Sequence, residues 1–394
     1  MVSTAPASPS TQPALRVGLI AGEASGDQLG ADLLVALRER FPGLECFGMA
    51  GPRMRAAGCI GLADMDELNV MGLVEVLRHY PRLRRLRSGL TQAILARRPD
   101  VVIGIDVPDF ALWIEARAKK AGVLAVHYVC PQVWAWRAGR LPSIARAVDL
   151  VLALFPFEVP FLAQHGIAAA HVGHPLADRI APAAARADYR NLLQLPGDGP
   201  VVALMPGSRR QEISRLADLF LAAAEQLAAR RPDAHFVLGA VSAEAATFLE
   251  ARRAAVAPRL SLTIVQRQAT EALLAADAAL VASGTITLEA ALCGTPSVVA
   301  YRMAPLSYWW LKRLVKVQHV ALPNLLLERR LFPEFLQDAA KPDALAGALE
   351  RWLGDNPARE ACRSSLAALR DQLARKAGQQ AAQAIQQALE RRKT

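Results

Sequence analysis

Short apolar, β-branched runs alternate along this chain with stretches whose apolar positions recur every three to four residues. That alternation is the pattern of parallel βαβ units. In the first half it predicts strands at 17–21, 44–48, 101–105, 123–129, 150–154 and 169–173, with helices such as 29–40 and 90–98 between them. After Pro200 it predicts strands at 201–205, 235–238, 260–265, 278–282 and 297–301, joined by helices including 215–230 and 285–292. Between the halves stand Pro175, Pro182, Pro196, Gly197, Gly199 and Pro200, which break both periodicities and mark a linker at 181–200. A last Ala/Gln/Arg-rich helical stretch runs from about 360 to 393. The fold class is therefore α/β: a tail at 1–13, a Rossmann-like domain at 14–180, the linker, a second Rossmann-like domain at 201–359 and a helical segment at 360–394. Ligands of such sheets bind at the carboxyl ends of the strands, so two such domains are expected to face a cleft.

Composition narrows the class. A chain of 394 residues, 53% hydrophobic and 21% charged, is globular and long enough for two cores. The first 13 residues lack the basic and apolar regions of a signal peptide, and no run of about 18 apolar residues exists to span a bilayer. Five scattered cysteines without metal or redox spacing read as buried thiols of a reducing compartment, so a cytoplasmic protein is expected. The net charge of +10 favours anionic partners: nucleic acid, acidic lipid or phosphorylated substrates. No nucleic-acid module accompanies it, and nucleic acid is not expected as a partner.

The chemistry-bearing residues cluster after the predicted strands. Ala21-Gly22-Glu23-Ala24-Ser25-Gly26-Asp27 offers a tight turn into a helix, without the Gly-Lys-Ser/Thr of a phosphate loop or the G-x-G-x-x-G of a dinucleotide site. Glu23, Ser25 and Asp27 suit sugar hydroxyls; the plainer reading is a turn with Asp27 near a helix cap. Asp106 ends the strand at 101–105, where a carboxylate projects to the ligand side and can take a proton from an attacking alcohol. Asp109, after Pro108, is placed to cap the next helix. Trp134 and Trp136, with Arg137, follow the fourth strand and could wall a sugar ring or an acyl chain, or pack in a core.

The second half carries a matching pair of loops. Gly207, Ser208 and Arg209 form a strand-to-helix turn with a fork-shaped phosphate donor. Ser283, Gly284 and Thr285 start a helix whose first amides can meet a diphosphate, and Glu289, one turn on, can accept from ribose hydroxyls. Each turn alone is also an ordinary helix start. Together they predict a nucleotide-diphosphate site, with amides and Arg209 in place of a metal. Lastly, Met71, Leu73, Val74 and Leu77 precede Arg82, Arg84, Arg85 and Arg87, an apolar patch followed by arginines that suits anionic headgroups; a basic face over a core stripe is the alternative.

Read together, the motifs resemble the lipid-A-disaccharide synthase family. They are Ala-Gly-Glu-Ala-Ser-Gly-Asp (21–27), Ala-Gly-Pro-Arg-Met (50–54), Gly-Ile-Asp-x-Pro-Asp-Phe (104–110), Val-Trp-Ala-Trp-Arg (133–137), Phe-Pro-Phe-Glu (155–158), Gly-His-Pro (173–175), Pro-Gly-Ser-Arg (206–209), Ser-Gly-Thr…Glu (283–289), Tyr-Arg-Met (301–303) and Leu-Pro-Asn (322–324). The resemblance implies a GT-B glycosyltransferase that joins UDP-2,3-diacylglucosamine to 2,3-diacylglucosamine 1-phosphate, yielding the β-1,6 disaccharide 1-phosphate and UDP. It also implies no cofactor or metal, peripheral association with the inner membrane, and a homodimer with an exchanged C-terminal part. Asp106 would be the base, with Arg209, Glu289 and Asn324 on the donor side. Two other readings share features of the sequence: a UDP-GlcNAc 2-epimerase-like enzyme of the same fold, and a two-lobed sugar-binding protein.

Overall fold

The predicted runs become two fully parallel sheets in the computed structural model. It describes residues 15–68, 73–134, 138–180, 185–303, 318–354 and 356–392, apart from the side chains of 73–80 and 138. The chain forms two units, one of residues up to Pro175 together with those from Lys376 onward, the other of Leu176–Arg375.

In the first unit the strands are β1 (Arg16–Ala21), β2 (Glu45–Ala50), β3 (Cys59–Asp64), β4 (Val101–Ile105), β5 (Leu124–Tyr128), β6 (Leu150–Ala153) and β7 (Ala169–His171), in the order 3-2-1-4-5-6-7. β4 and β5 are buried along their whole length, because helices cover both faces of a parallel sheet. Ile20, Phe47, Met49, Ile94, Val102, Phe110 and Ile114 make a core on one side. The order in which strands are added reverses between β1 and β4, which pair in parallel from Val17↔Val101 to Ala21↔Ile105. Loops leaving the carboxyl ends of these two strands diverge and open a crevice, the place where doubly wound sheets take ligands.

The second unit repeats the scheme with β8 (Val201–Met205), β9 (His235–Ala240), β10 (Leu262–Gln266), β11 (Ala278–Ala282), β12 (Ser297–Tyr301) and β13 (Glu334–Leu336), ordered 10-9-8-11-12-13. Its reversal lies between β8 and β11. Val202, Leu204, Phe220, Phe236, Leu280 and Leu349 are among its core residues.

Three features differ from the sequence expectations. The stretch taken as a linker contains the helix Arg186–Leu192, and Arg190 on it is held by Asp277 at 2.6 Å beside Val201. The C-terminal stretch is two helices, Asn356–Leu373 and Ala377–Arg391, broken where Lys376 takes a left-handed φ of 57°. The second of them leaves its neighbour and packs on the helix Ala24–Arg40 of the first unit, burying Ala377, Ala381, Ala382 and Ile385. And two cysteines that sequence spacing left unrelated, Cys46 and Cys59, sit in register on β2 and β3 with sulfurs 3.0 Å apart; burial pushes the Cys46 thiol far up.

Candidate active site

Asp106 stands at the reversal point of the first unit, immediately after β4. Its φ is +55° and that of Val107 is +41°, two left-handed residues in succession, one of them β-branched. Such conformations cost about 1–3 kcal/mol each and persist where surrounding structure imposes them. The Asp106 amide donates to Tyr128 O at 2.9 Å, tying the turn to the end of β5. One side-chain oxygen, Oδ1, accepts from the Val107 amide at 2.9 Å. Among the described residues no hydrogen bond reaches Oδ2. Just upstream, the Gly104 amide donates to Glu115 Oε1 at 3.0 Å, and the same oxygen lies 2.8 Å from His127 Nδ1; both side chains are wholly buried. A Cβ at position 104 would fall 2.2 Å from that oxygen, which is why glycine stands there.

The loop after β1 comes close to this turn, since a Cβ on Gly22 would meet Val107 Cγ1 at 2.9 Å. Glu23 and Ser25 are exposed at the start of the helix Ala24–Arg40. Asp27 is placed otherwise than as a sugar ligand. It is 1% exposed, and its two oxygens accept from the amides of Gly51, Arg53 and Met54 at 2.9–3.0 Å, capping the helix Pro52–Ala56. Three backbone donors and near-complete burial account for this carboxylate as a structural group. Asp109 does not cap its own helix, Pro108–Lys120; its exposed carboxylate pairs with Arg140 instead. Trp134 is half-buried and donates through Nε1 to Glu158 Oε1 at 3.2 Å, whereas Trp136 lies outside the described residues.

The arginine stretch is split by the structure. It belongs to the helix Leu73–Ala96, longer than the sequence suggested and with Pro81 in its interior. Arg82, Arg84 and Arg85 are exposed. Arg87 turns inward, its guanidinium 4.3 Å from the Trp113 ring centre, with Nη1 reaching Asp109 O at 3.4 Å, so this arginine serves packing. Met71 lies outside the described residues, and Leu73, Val74 and Leu77 are fixed in backbone only.

In the second unit both predicted loops occupy the reversal point. Gly207 takes a φ of +118°, and the helix Arg210–Arg230 begins after Arg209. Glu212 reaches back to accept from the Ser208 and Arg209 amides at 3.3 Å and from Arg209 Nη1 at 3.1 Å. The Arg209 side chain is otherwise open to solvent, 82% exposed. Gly284 has a φ of +150° with nothing within 4 Å of where a Cβ would be, and no side chain caps the helix Thr285–Leu292 that it starts. An open, uncapped helix start with exposed Thr285 beside it fits an anion. Glu289 is half-buried on that helix, accepts from the Thr270 hydroxyl, and has its pKa raised by burial.

Asn324 also departs from expectation. It is fully buried, and its amide donates to Phe332 O and Glu334 Oε1 while its oxygen accepts from the amides of Leu331 and Phe332. Glu334 in turn accepts from the amides of Val320 and Ala321. This network fixes the turn that Ser283 Oγ and Thr287 Oγ1 touch through Val320 O and the Leu322 amide. Asn324 thus bears on the Ser283–Thr285 loop from behind. Sequence reasoning gave no role to Glu115, His127, Arg140, Glu158 or Glu212; an acidic residue inside an apolar helix face and a His inside an apolar strand were the signals for the first two.

Comparison with known proteins identifies the family and the fold. The model of the lipid-A-disaccharide synthetase family matches residues 17–388. The chain is 50% identical over 378 residues to the lipid-A-disaccharide synthase of Pseudomonas aeruginosa strain UCBPP-PA14, covering 96% of this chain and 99% of that one. To the enzyme of the same name from Alkalilimnicola ehrlichii it is 49% identical over 375 residues, covering 94% and 98%. Among solved structures it is similar to the calicheamicin glycosyltransferase CalG4, with a TM-score of 0.58, 16% identity and coverage of 96% and 99%. It is also similar to the Neisseria meningitidis UDP-GlcNAc 2-epimerase bound to UDP-GlcNAc, with a TM-score of 0.63, 12% identity and coverage of 95% and 100%. At such identities these two likenesses concern the fold alone, the two-sheet architecture of GT-B enzymes. The full-length matches decide the rest: the chain belongs to the lipid-A-disaccharide synthetase family of glycosyltransferases.

Proposed function

We propose that the protein joins UDP-2,3-diacylglucosamine to 2,3-diacylglucosamine 1-phosphate, giving the β-1,6-linked lipid A disaccharide 1-phosphate and UDP. The observation that carries the reading is Asp106, held in a strained turn at a sheet's reversal point with one oxygen engaged by the backbone. Its Oδ2 takes the proton of the acceptor's 6-hydroxyl as that oxygen bonds to the donor's anomeric carbon. The bond from that carbon to the diphosphate breaks on the opposite face, UDP leaves with the electron pair, and the centre inverts. Glu23, Ser25, Asp109, Trp134 and Trp136 shape the acceptor side. Arg209, with the turns at Gly207–Ser208 and Ser283–Thr285, meets the diphosphate where negative charge grows, and Glu289 accepts from ribose hydroxyls. Asn324 supports that loop without touching the nucleotide.

Acylated substrates call for a protein at a lipid surface. No helix among the described residues is long and apolar enough to cross a membrane. Arg82, Arg84 and Arg85 are the exposed charges for peripheral docking on the cytoplasmic face of the inner membrane, and replacing all three by Ser is expected to lower retention on anionic vesicles. A homodimer exchanging its C-terminal part would remake between chains the packing of Ala377–Arg391 on Ala24–Arg40. The epimerase reading rests on fold likeness alone.

The test supplies both lipid substrates and follows UDP release and disaccharide. Asp106→Asn is expected to lower kcat by roughly 10²–10⁴-fold with the Kd for UDP unchanged. A variant retaining more than a tenth of the rate removes Asp106 from the role of base; a wild-type protein that makes no disaccharide removes the reaction.

A further inference from the structure

The family-like motif Phe155-Pro156-Phe157-Glu158 has no part in the mechanism above, yet it ends in a carboxyl group that is only 2% exposed. Glu158 opens the short helix Glu158–Ala163 after β6. Its Oε1 accepts from Trp134 Nε1 at 3.2 Å, and its Oε2 accepts from the Phe155 amide at 3.0 Å. The Cys130 thiol and the Leu154 amide face the same carboxyl. A run of aromatic contacts continues from its partners: Trp134 meets Phe157 edge-on at 5.1 Å, Phe157 stacks on Phe155 at 6.0 Å, and His174, just after β7, stacks on Phe155 at 5.8 Å. The Glu158 side chain therefore ties together the loops that leave the carboxyl ends of β5 and β6, and Phe155 carries the contact on to the loop after β7.

A carboxyl group buried this deeply is costly unless its oxygens are paired, so its two directed contacts explain its place. They bear on the chemistry through β5. Tyr128 O receives the Asp106 amide, and Cys130, two residues on, already adjoins Glu158. We propose that Glu158 is a positioning residue for the glycosyl acceptor, clamping Trp134 to the loop after β6 and so setting the wall against which the acceptor binds. The inference rests on the acceptor-side reading of this unit and adds to it the residue that fixes the tryptophan loop.

Burial raises the Glu158 pKa to about 7. Above that pH the ionised group accepts from both donors. Below it, the neutral carboxyl still accepts but without the charge that strengthens both bonds, and the clamp loosens. Acceptor kcat/KM should therefore fall as pH drops through about 7.

The test is the acceptor KM, the Kd for UDP and the pH profile of wild type, Glu158→Gln, Trp134→Phe and the double variant. Gln keeps the volume but turns its NH2 onto one of the two donors. The expected result is an acceptor KM raised roughly tenfold or more, unchanged UDP affinity, and no step near pH 7 in Glu158→Gln. The double variant should lose no more than the worse single one, because both remove the same contact. An unchanged acceptor KM in Glu158→Gln, or full additivity, overturns the proposal. Should Glu158→Gln fail to fold, Trp134→Phe decides, and a normal acceptor KM in it overturns the clamp. Wild type without turnover sinks the acceptor reading and this inference together, whereas wild-type turnover with indifferent variants sinks the inference alone.

Discussion

Replacing Gly104 by Ala adds one methyl group at a place where the first unit has no room for it. The new Cβ would lie 2.2 Å from Glu115 Oε1 and 2.6 Å from the Ala111 Cβ, both in wholly buried surroundings. Neither neighbour can swing away, since Ala111 has no side-chain torsion and Glu115 Oε1 is pinned by His127. Two costs follow: overpacking, about 1–3 kcal/mol, and a Gly104 amide pushed off its acceptor, about 1–3 kcal/mol. The sum, about 2–6 kcal/mol, corresponds to a fall in Tm on the order of 10 °C for a unit of this size. The strand end that moves carries Asp106 two residues on, and a misplacement of about 1 Å can cost roughly a hundredfold in rate. Thermal unfolding and disaccharide formation should both register the change. Adding Glu115→Ala to Gly104→Ala removes the obstructing oxygen, so the double variant should lose less stability than the two single losses added. A Gly104→Ala protein melting within a degree or so of wild type, at normal rate, would refute the account of how Asp106 is held.

Two further outcomes follow from buried carboxyls. Asp27→Asn should destabilise the first unit by about 1.5–3 kcal/mol, because an NH2 would face one of three backbone donors, while the acceptor KM of the folded protein stays near wild type; a shifted KM at unaltered Tm would show that Asp27 touches substrate after all. Glu158 has a folded pKa of about 7, raised from 4.5, so the folded state binds more protons between those values and stability falls as pH rises through that window. At about 1.4 kcal/mol per unit, wild type should lose on the order of 3 kcal/mol relative to Glu158→Gln between pH 4.5 and 7, measurable by denaturant titration; parallel stability curves would contradict it.

The strands of both interiors were legible in the sequence because burial on both faces leaves an unbroken apolar run, as in Val101–Ile105 and Ala278–Ala282. The strands that escaped notice were edges. β3 shows its side chains largely to solvent and β13 has three residues, so neither carries the run that would announce it. The loops of the site were legible for a similar reason: tight turns after strands need small residues and leave polar ones at their tips. What could not be read was how each polar side chain is used. Asp27 and Asn324 look like ligands until residues 24–27 and 7–10 positions away arrive to occupy them. Glu158 looks like a surface acid until the fold closes over it.

The return of the last helix to the first unit orders events during synthesis. The helix Ala24–Arg40 is made before Leu176–Arg375, but the segment that covers it, Ala377–Arg391, is made after it. The second unit, Leu176–Arg375, emerges whole before that segment does. On the ribosome it can complete its core while the first unit still has a bare flank, open to chaperones or to another nascent chain. Removing Ala377–Arg391 therefore strikes the unit that carries Asp106.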